Sequence, residues 1–184
     1  MAKRLNVLLG AGLCALAFAG CAPANDAPPP GVEQTDVMFL QMMIPHHNQG
    51  VTLVRLARDR SAREDVKMLA AAIETTQISE IQTMAGWLRS WNKPPVAPPH
   101  AHDSHGGMPE TSPDEVAALE KATGADFDRR FLNTMIAHQD DAVQIARMEV
   151  ARGAFTAAKE LATRIDRSRS AEIQQMLGYL GANR

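Results

Sequence analysis

The sequence predicts an all-α protein, a four-helix bundle made of two duplicated antiparallel helical hairpins. Three observations carry this. Residues 36–91 slide onto 128–183 without a gap and give 20 identities in 56 positions, among them Met43/Met135, His46/His138, Glu80/Glu172 and Met84/Met176. A repeat of this length is one supersecondary unit used twice. Within each copy apolar residues recur at spacings of three and four, and strand-like alternation is absent. Each copy also has a turn signal near its middle, so its two helices fold back on each other. The apolar stripe that one hairpin leaves open is then covered by the other.

Residues 1–20 read as an export signal. Lys3 and Arg4 precede an apolar run, Leu5 to Phe18, that is short for a membrane span. The run ends in Phe18-Ala19-Gly20-Cys21, which resembles the lipobox of bacterial lipoproteins, with Phe18 where leucine is usual. On that reading Cys21 becomes a lipidated N-terminus that anchors the protein to a membrane. The alternative is an ordinary secretory signal cut near Ala22, and both place the mature chain outside the cytoplasm. Cys14 leaves with the signal, so the mature chain has no thiol pair for a disulfide and no thiolate for a metal. Without Lys3 and Arg4 the chain carries 17 basic and 21 acidic residues, a formal charge of −4. No basic residues cluster into the kind of face nucleic acid requires, and no motif identifies a protein partner.

Residues 21–34, with Pro23 and Pro28-Pro29-Pro30-Gly31, form an extended tether. The domain occupies 35–183. Its first helix, about 35–60, sets Phe39, Met43, His46, Gly50, Leu53 and Ala57 on one stripe. Pro45 lacks an N–H and crowds the carbonyl of Gln41, which predicts a kink. Ser61-Ala62-Arg63-Glu64 has the form of a capping box and predicts the start of the second helix. That helix carries Val66, Leu69, Ile73, Gln77, Glu80, Met84 and Leu88 on or beside its stripe. Residues 93–112 are a proline- and histidine-rich loop. Ser112-Pro113-Asp114-Glu115 is a second capping box with proline at the first helical position, and predicts a short helix to about Ala122. The second hairpin follows over about 126–152 and 155–181, with Gly153 at its turn.

Hairpin geometry locates the chemistry. His46 lies about fifteen residues before its turn, roughly 22 Å of helix, which sets it level with Thr76 and Gln77. Met43 is level with Glu80, Met135 with Glu172, and His138 with Ser168 and Arg169. The candidate metal ligands at mid-bundle are therefore Met43, His46, His47 and Glu80 from one copy and Met135, His138 and Glu172 from the other. Packing alone does not require histidine three residues after methionine in both copies. Thioether with imidazole suits Cu(I), whereas carboxylate with imidazole suits iron, manganese or zinc. Plainer roles compete: Met84 and Met176 as core, Glu80 and Glu172 at the stripe's edge or paired with arginine, the histidines hydrogen-bonded without metal. Arg169 stands where the first copy has Gln77, which favours a structural role for it. His46 and His47 point about 100° apart on a helix, so both meet one ion only with help from Pro45. An ordinary histidine protonates near pH 6.5, so imidazole ligation is expected to weaken in mild acid. In the loop, His100, His102, His105 and Met108 form a looser donor group for Cu(II), Ni(II) or Zn(II), or a solvated linker of biased composition.

Asp36-x-x-Phe39-Leu40-x-x-Met43-Ile44-x-His46-His47, then Gln77-x-x-Glu80-Ile81-x-x-Met84-x-x-Trp87-Leu88, resembles the bacterial family catalogued as domain of unknown function 305. Phe127-Asp128-x-x-Phe131-Leu132-x-x-Met135-Ile136-x-His138 resembles that family's second copy, with Gln139 where a second histidine is common. The resemblance covers most of 35–181. It implies an exported, ferritin-like helical bundle, some of whose members bind copper and support copper resistance. The expected function is that of a lipid-anchored envelope protein that binds, stores or confers tolerance to copper, and not an enzyme. A ferritin-like di-metal oxidase is the alternative, though the Glu-x-x-His it would use is absent. A structural envelope lipoprotein that recruits a partner without metal is another.

Overall fold

The structure, a computed structural model, describes residues 28–98, 101 and 107–181. The export signal, Cys21, and loop residues His100, His102 and His105 lie outside the described residues. Five helices occur in the order α1 (Gln34–Arg60), α2 (Glu64–Ser90), α3 (Pro113–Lys121), α4 (Gly124–Arg152) and α5 (Thr156–Gly181). Among the described residues there is no strand, and no helix is long and apolar enough to cross a membrane.

The hairpins α1–α2 and α4–α5 pack through α1 against α4, and these two helices run antiparallel. Near one end of α1, Asp36 Oδ1 accepts hydrogen bonds from the N–H groups of Ala154 and Phe155, at 3.0 and 2.9 Å. At the other end Ser61 Oγ donates to Asp128 Oδ1 at 2.5 Å. These contacts are counterparts under the 92-residue repeat, so a pseudo-two-fold axis relates the hairpins. It crosses α1 and α4 near His46 and His138.

The Ser61 contact also corrects one expectation. Ser61 does not cap α2: the N-cap residue is Arg63, which makes no side-chain cap. Ser61 Oγ donates to Asp128 and accepts from the Arg63 N–H at 3.1 Å, but α2 begins at Glu64, so that bond falls before the helix and caps none of its N–H groups. Ser112 does cap α3, and the reciprocal bond from Glu115 is present. Helix α1 runs through Pro45 without a break.

The core falls into two apolar clusters with a polar layer between them. One contains Phe39, Leu40, Met43, Met84, Leu88, Ile145 and Ile165. The other contains Leu53, Val54, Ile73, Phe131, Leu132, Met135 and Met176. Repeat counterparts such as Met43 and Met135 fall in opposite clusters, as a two-fold axis requires. The connection from α2 to α4 climbs along α1 and is fastened three times. Gln41 Nε2 donates to the Pro94 carbonyl at 2.9 Å, and Gln49 bonds both the N–H and C=O of Thr111 at 2.8 and 2.9 Å. Arg60 then reaches the Ala122 carbonyl at 2.8 Å. Covered by α2, α4 and this strap, α1 buries 15 of its 27 residues, against 6 of 26 in α5.

Candidate metal centre

Only residues close to the pseudo-axis meet their own counterparts, and His46 and His138 do so. Their rings stack with centroids 3.9 Å apart and planes 15° from parallel. Both side chains are buried. Neither nitrogen of His46 has a hydrogen-bond partner, nor does Nε2 of His138. Nδ1 of His138 lies 3.3 Å from Thr111 Oγ1 on the strap, which leaves Nε2 as the open nitrogen. Gln77 adds a buried amide whose oxygen and nitrogen are both unpartnered.

Gly50 makes this convergence fit. A Cβ there would stand 2.4 Å from Gln77 Oε1 and 2.9 Å from His138 Nε2. Burial, then the neighbouring imidazoles and Arg169, hold His46 well below the ordinary histidine range. Burial first, then the charge of His47, pulls His138 down to about 4. Both rings are therefore neutral at physiological pH, with lone pairs available to a metal.

His47 faces elsewhere. Its Nε2–H donates to Glu80 Oε2 at 2.8 Å, and its ring centroid is 6.3 Å from that of His46. Arg169, fully buried, reaches from α5 to Glu80, lies 3.3 Å from Glu172 and comes within 3.5 Å of His47 Nε2. Gln139 donates to Glu172. Burial opposes ionisation of Glu80, but the His47 hydrogen bond and the Arg169 charge hold it below the ordinary carboxylate range. In Glu172 burial prevails and raises it despite Arg169. The two carboxylates are thus engaged by a guanidinium, an imidazole and an amide.

The structure brings His46, His138 and Gln77 together. It groups His47, Glu80 and Glu172 separately around Arg169, and it does not bring Met43 and Met135 together. Each methionine is fully buried one helical turn from its histidine, on opposite sides of the layer. Three residues of helix on each side separate them by about 9 Å along the axis. Met108 is partly buried against the Met43 cluster rather than free in the loop. Among the described residues, no three histidine, aspartate or glutamate side chains are grouped to hold a metal ion.

The family profile described as domain of unknown function DUF305 matches residues 36–180. The chain belongs to the DUF305 family. A DUF305 protein from Streptomyces coelicolor is 31% identical with a TM-score of 0.76, over 80% of this chain and 93% of that one. A DUF305 fragment from Deinococcus radiodurans is 30% identical with a TM-score of 0.74, over 83% and 99%. CopM in its Cu(I)-bound form is 31% identical with a TM-score of 0.66, over 80% and 96%. CopM has also been solved bound to Cu(II) and to silver. A search of curated proteins finds no match.

Within this DUF305 bundle, nothing in the sequence pointed to Thr111 or Gln49, because a strap lying on a helix leaves no periodic trace. Gly50 had one available signal, a glycine in mid-helix on the core stripe, where only a close approach repays its poor helix propensity.

Proposed function

We propose that this DUF305 protein is an exported Cu(I)-binding protein of the cell envelope, with His46 and His138 as its principal ligands. The stacked, buried pair of neutral imidazoles with open nitrogens carries this reading. A buried polar atom without a partner costs about 1–3 kcal/mol, and ligation would relieve that cost at several atoms together. Met43 and Met135 flank the pair and supply soft sulfur one turn away on either side. The donors left open are uncharged, whereas Glu80 and Glu172 are occupied by Arg169. That combination favours a soft monovalent ion over a divalent one. The copper- and silver-bound forms of CopM, at about the same level of identity, support the same chemistry.

We assign the open imidazole pair to binding and not to catalysis. Lipidation of Cys21 would hold the domain at the membrane. Cys21→Ser should then move the protein to the soluble fraction, and a wild type that takes up no labelled fatty acid rules lipidation out.

Competition against a Cu(I) chelator tests the site. Changing both His46 and His138 to alanine is expected to weaken Cu(I) binding at least about 100-fold, with helical circular dichroism retained. Affinity equal to wild type in the folded variant would leave the histidines as packing residues and defeat the proposal.

A further inference from the structure

The pseudo-axis pairs His47 with Gln139, Gln77 with Arg169 and Glu80 with Glu172. The polar layer would be symmetric if the second copy had kept histidine and glutamine. It would then hold two imidazole–carboxylate pairs and no protein cation. Instead the His47–Glu80 pair at 2.8 Å is mirrored by a Gln139–Glu172 amide contact. The Arg169 guanidinium sits between the two carboxylates, bonded to Glu80 from one nitrogen and 3.3 Å from Glu172 through the other. Its side chain is fully buried, while Glu80 and Glu172 keep 11% and 16% of theirs exposed. Gln77, its counterpart, leaves both amide atoms without partners.

We infer that Arg169 is a resident cation in the place of a second bound ion, so that the buried layer of each chain takes up one Cu(I) and not two. The inference rests on the copper reading above. Charge balance supports it. Two carboxylates face one guanidinium, so one further positive charge completes the layer, while a second would stand without a counter-charge between the two apolar clusters. The change from His47 to Gln139 is the matching half of the device. An imidazole ligand placed beside a fixed guanidinium would hold its ion against that repulsion, whereas the Gln139 amide uses its N–H on Glu172 and leaves a hard oxygen that suits Cu(I) poorly.

The test counts ions bound by the full-length protein, using Cu(I) alone under reducing, oxygen-free conditions. His100, His102 and His105 are changed to alanine in every sample, which removes the loop's imidazoles from the count. One equivalent is expected in this background. In the double variant Gln139→His with Arg169→Gln, two are expected, one at His46 and His138 and a second in the place of the Arg169 guanidinium, where the introduced histidine joins Glu80 and Glu172. Gln139→His alone should stay at one, and so should Arg169→Lys, which keeps the charge. The metal-free double variant should melt below its parent and regain stability as the second ion binds.

A second ion taken up by Gln139→His alone would overturn the inference, as would two equivalents in the loop-alanine parent, a measurement that needs no core substitution. A folded double variant that still binds one ion would overturn it while leaving the copper reading intact. No Cu(I) uptake by the wild type would overturn both.

Discussion

The two sides of the polar layer behave as opposites. On one side His46 and Gln77 are buried without hydrogen-bond partners, and His138 keeps its Nε2 open. On the other, His47, Glu80, Gln139 and Glu172 are knitted around Arg169. Gln77 and Arg169 are counterparts that fall on opposite sides, whereas His46 with His138, His47 with Gln139 and Glu80 with Glu172 each share a side. A duplicated bundle thus keeps its fold and divides its centre: one side is tied by ion pairs and holds the hairpins together, leaving only His47 Nδ1, Gln139 Oε1 and Arg169 Nε unpartnered, and the other has no charged contact of its own. The closed side secures the geometry of the open one, because Arg169 of the second hairpin is bonded to Glu80 of the first.

Breaking the closed side should be costly. Arg169→Met removes one partner of a buried ion pair and strands two carboxylates, so a loss of about 3–5 kcal/mol is expected by chemical denaturation. A loss below about 1 kcal/mol would show that the layer is looser than its contacts imply. Filling the open side should cost less and strike binding more. In Gly50→Ala the new methyl group displaces Gln77 and His138, for about 1–3 kcal/mol of stability, together with weaker Cu(I) binding. The counterpart position is already alanine, so Ala142→Gly sharpens the contrast. It should cost about 1 kcal/mol from helix propensity and leave copper affinity alone.

The two hairpin turns offer a smaller test of the same kind. Ala57 and Ser61 in the first correspond to Glu149 and Gly153 in the second. Glu149 is fully buried, and a Cβ on Gly153 would stand 2.2 Å from its Oε1. Burial first, then the adjacent Asp36 carboxyl, pushes Glu149 up to about 8, with Lys159 opposing. An acid whose folded value is raised contributes stability that is full below its unfolded value. That stability is lost as pH climbs through the folded one. Glu149→Gln removes this dependence. The variant's melting temperature should therefore gain on wild type between about pH 5 and pH 8, then run parallel to it. A gap that does not change with pH would mean that Glu149 ionises normally.

The smallest expected effect is an absence of change. His138 is held near 4 by burial and by His47, so Cu(I) retention should be level from pH 7 to pH 5 and fall only as pH approaches 4. The sequence pointed instead to weakening in mild acid, and half-release near pH 6.5 would restore that view.

What the sequence showed follows from what repeats can encode. The hairpins, the Ser112 cap and the level of the histidines were legible because spacing alone fixes them. The meeting of His46 with His138 was foreshadowed by the duplication, since an axis between copies brings some counterparts face to face. Which counterparts meet depends on where the axis crosses α1 and α4, and no local pattern records that. Met43 and Met135 read as members of one site for this reason, yet they lie on opposite sides of the layer. Ser61 failed as a cap because α2 starts two residues later than the capping box implied, and its hydroxyl instead ties the first turn to Asp128, 67 residues away in the chain.

The strap has spare length exactly where the loop histidines are carried. Between its fastenings at Pro94 and Thr111 the chain advances only from the level of Gln41 to that of Gln49, about 12 Å of helix. Four extended residues cover that distance, and the sequence supplies sixteen between the two points. The contact between Thr111 and His138 therefore sets no demand on the length between the two fastenings, and a shortened or lengthened connection is expected to leave it in place.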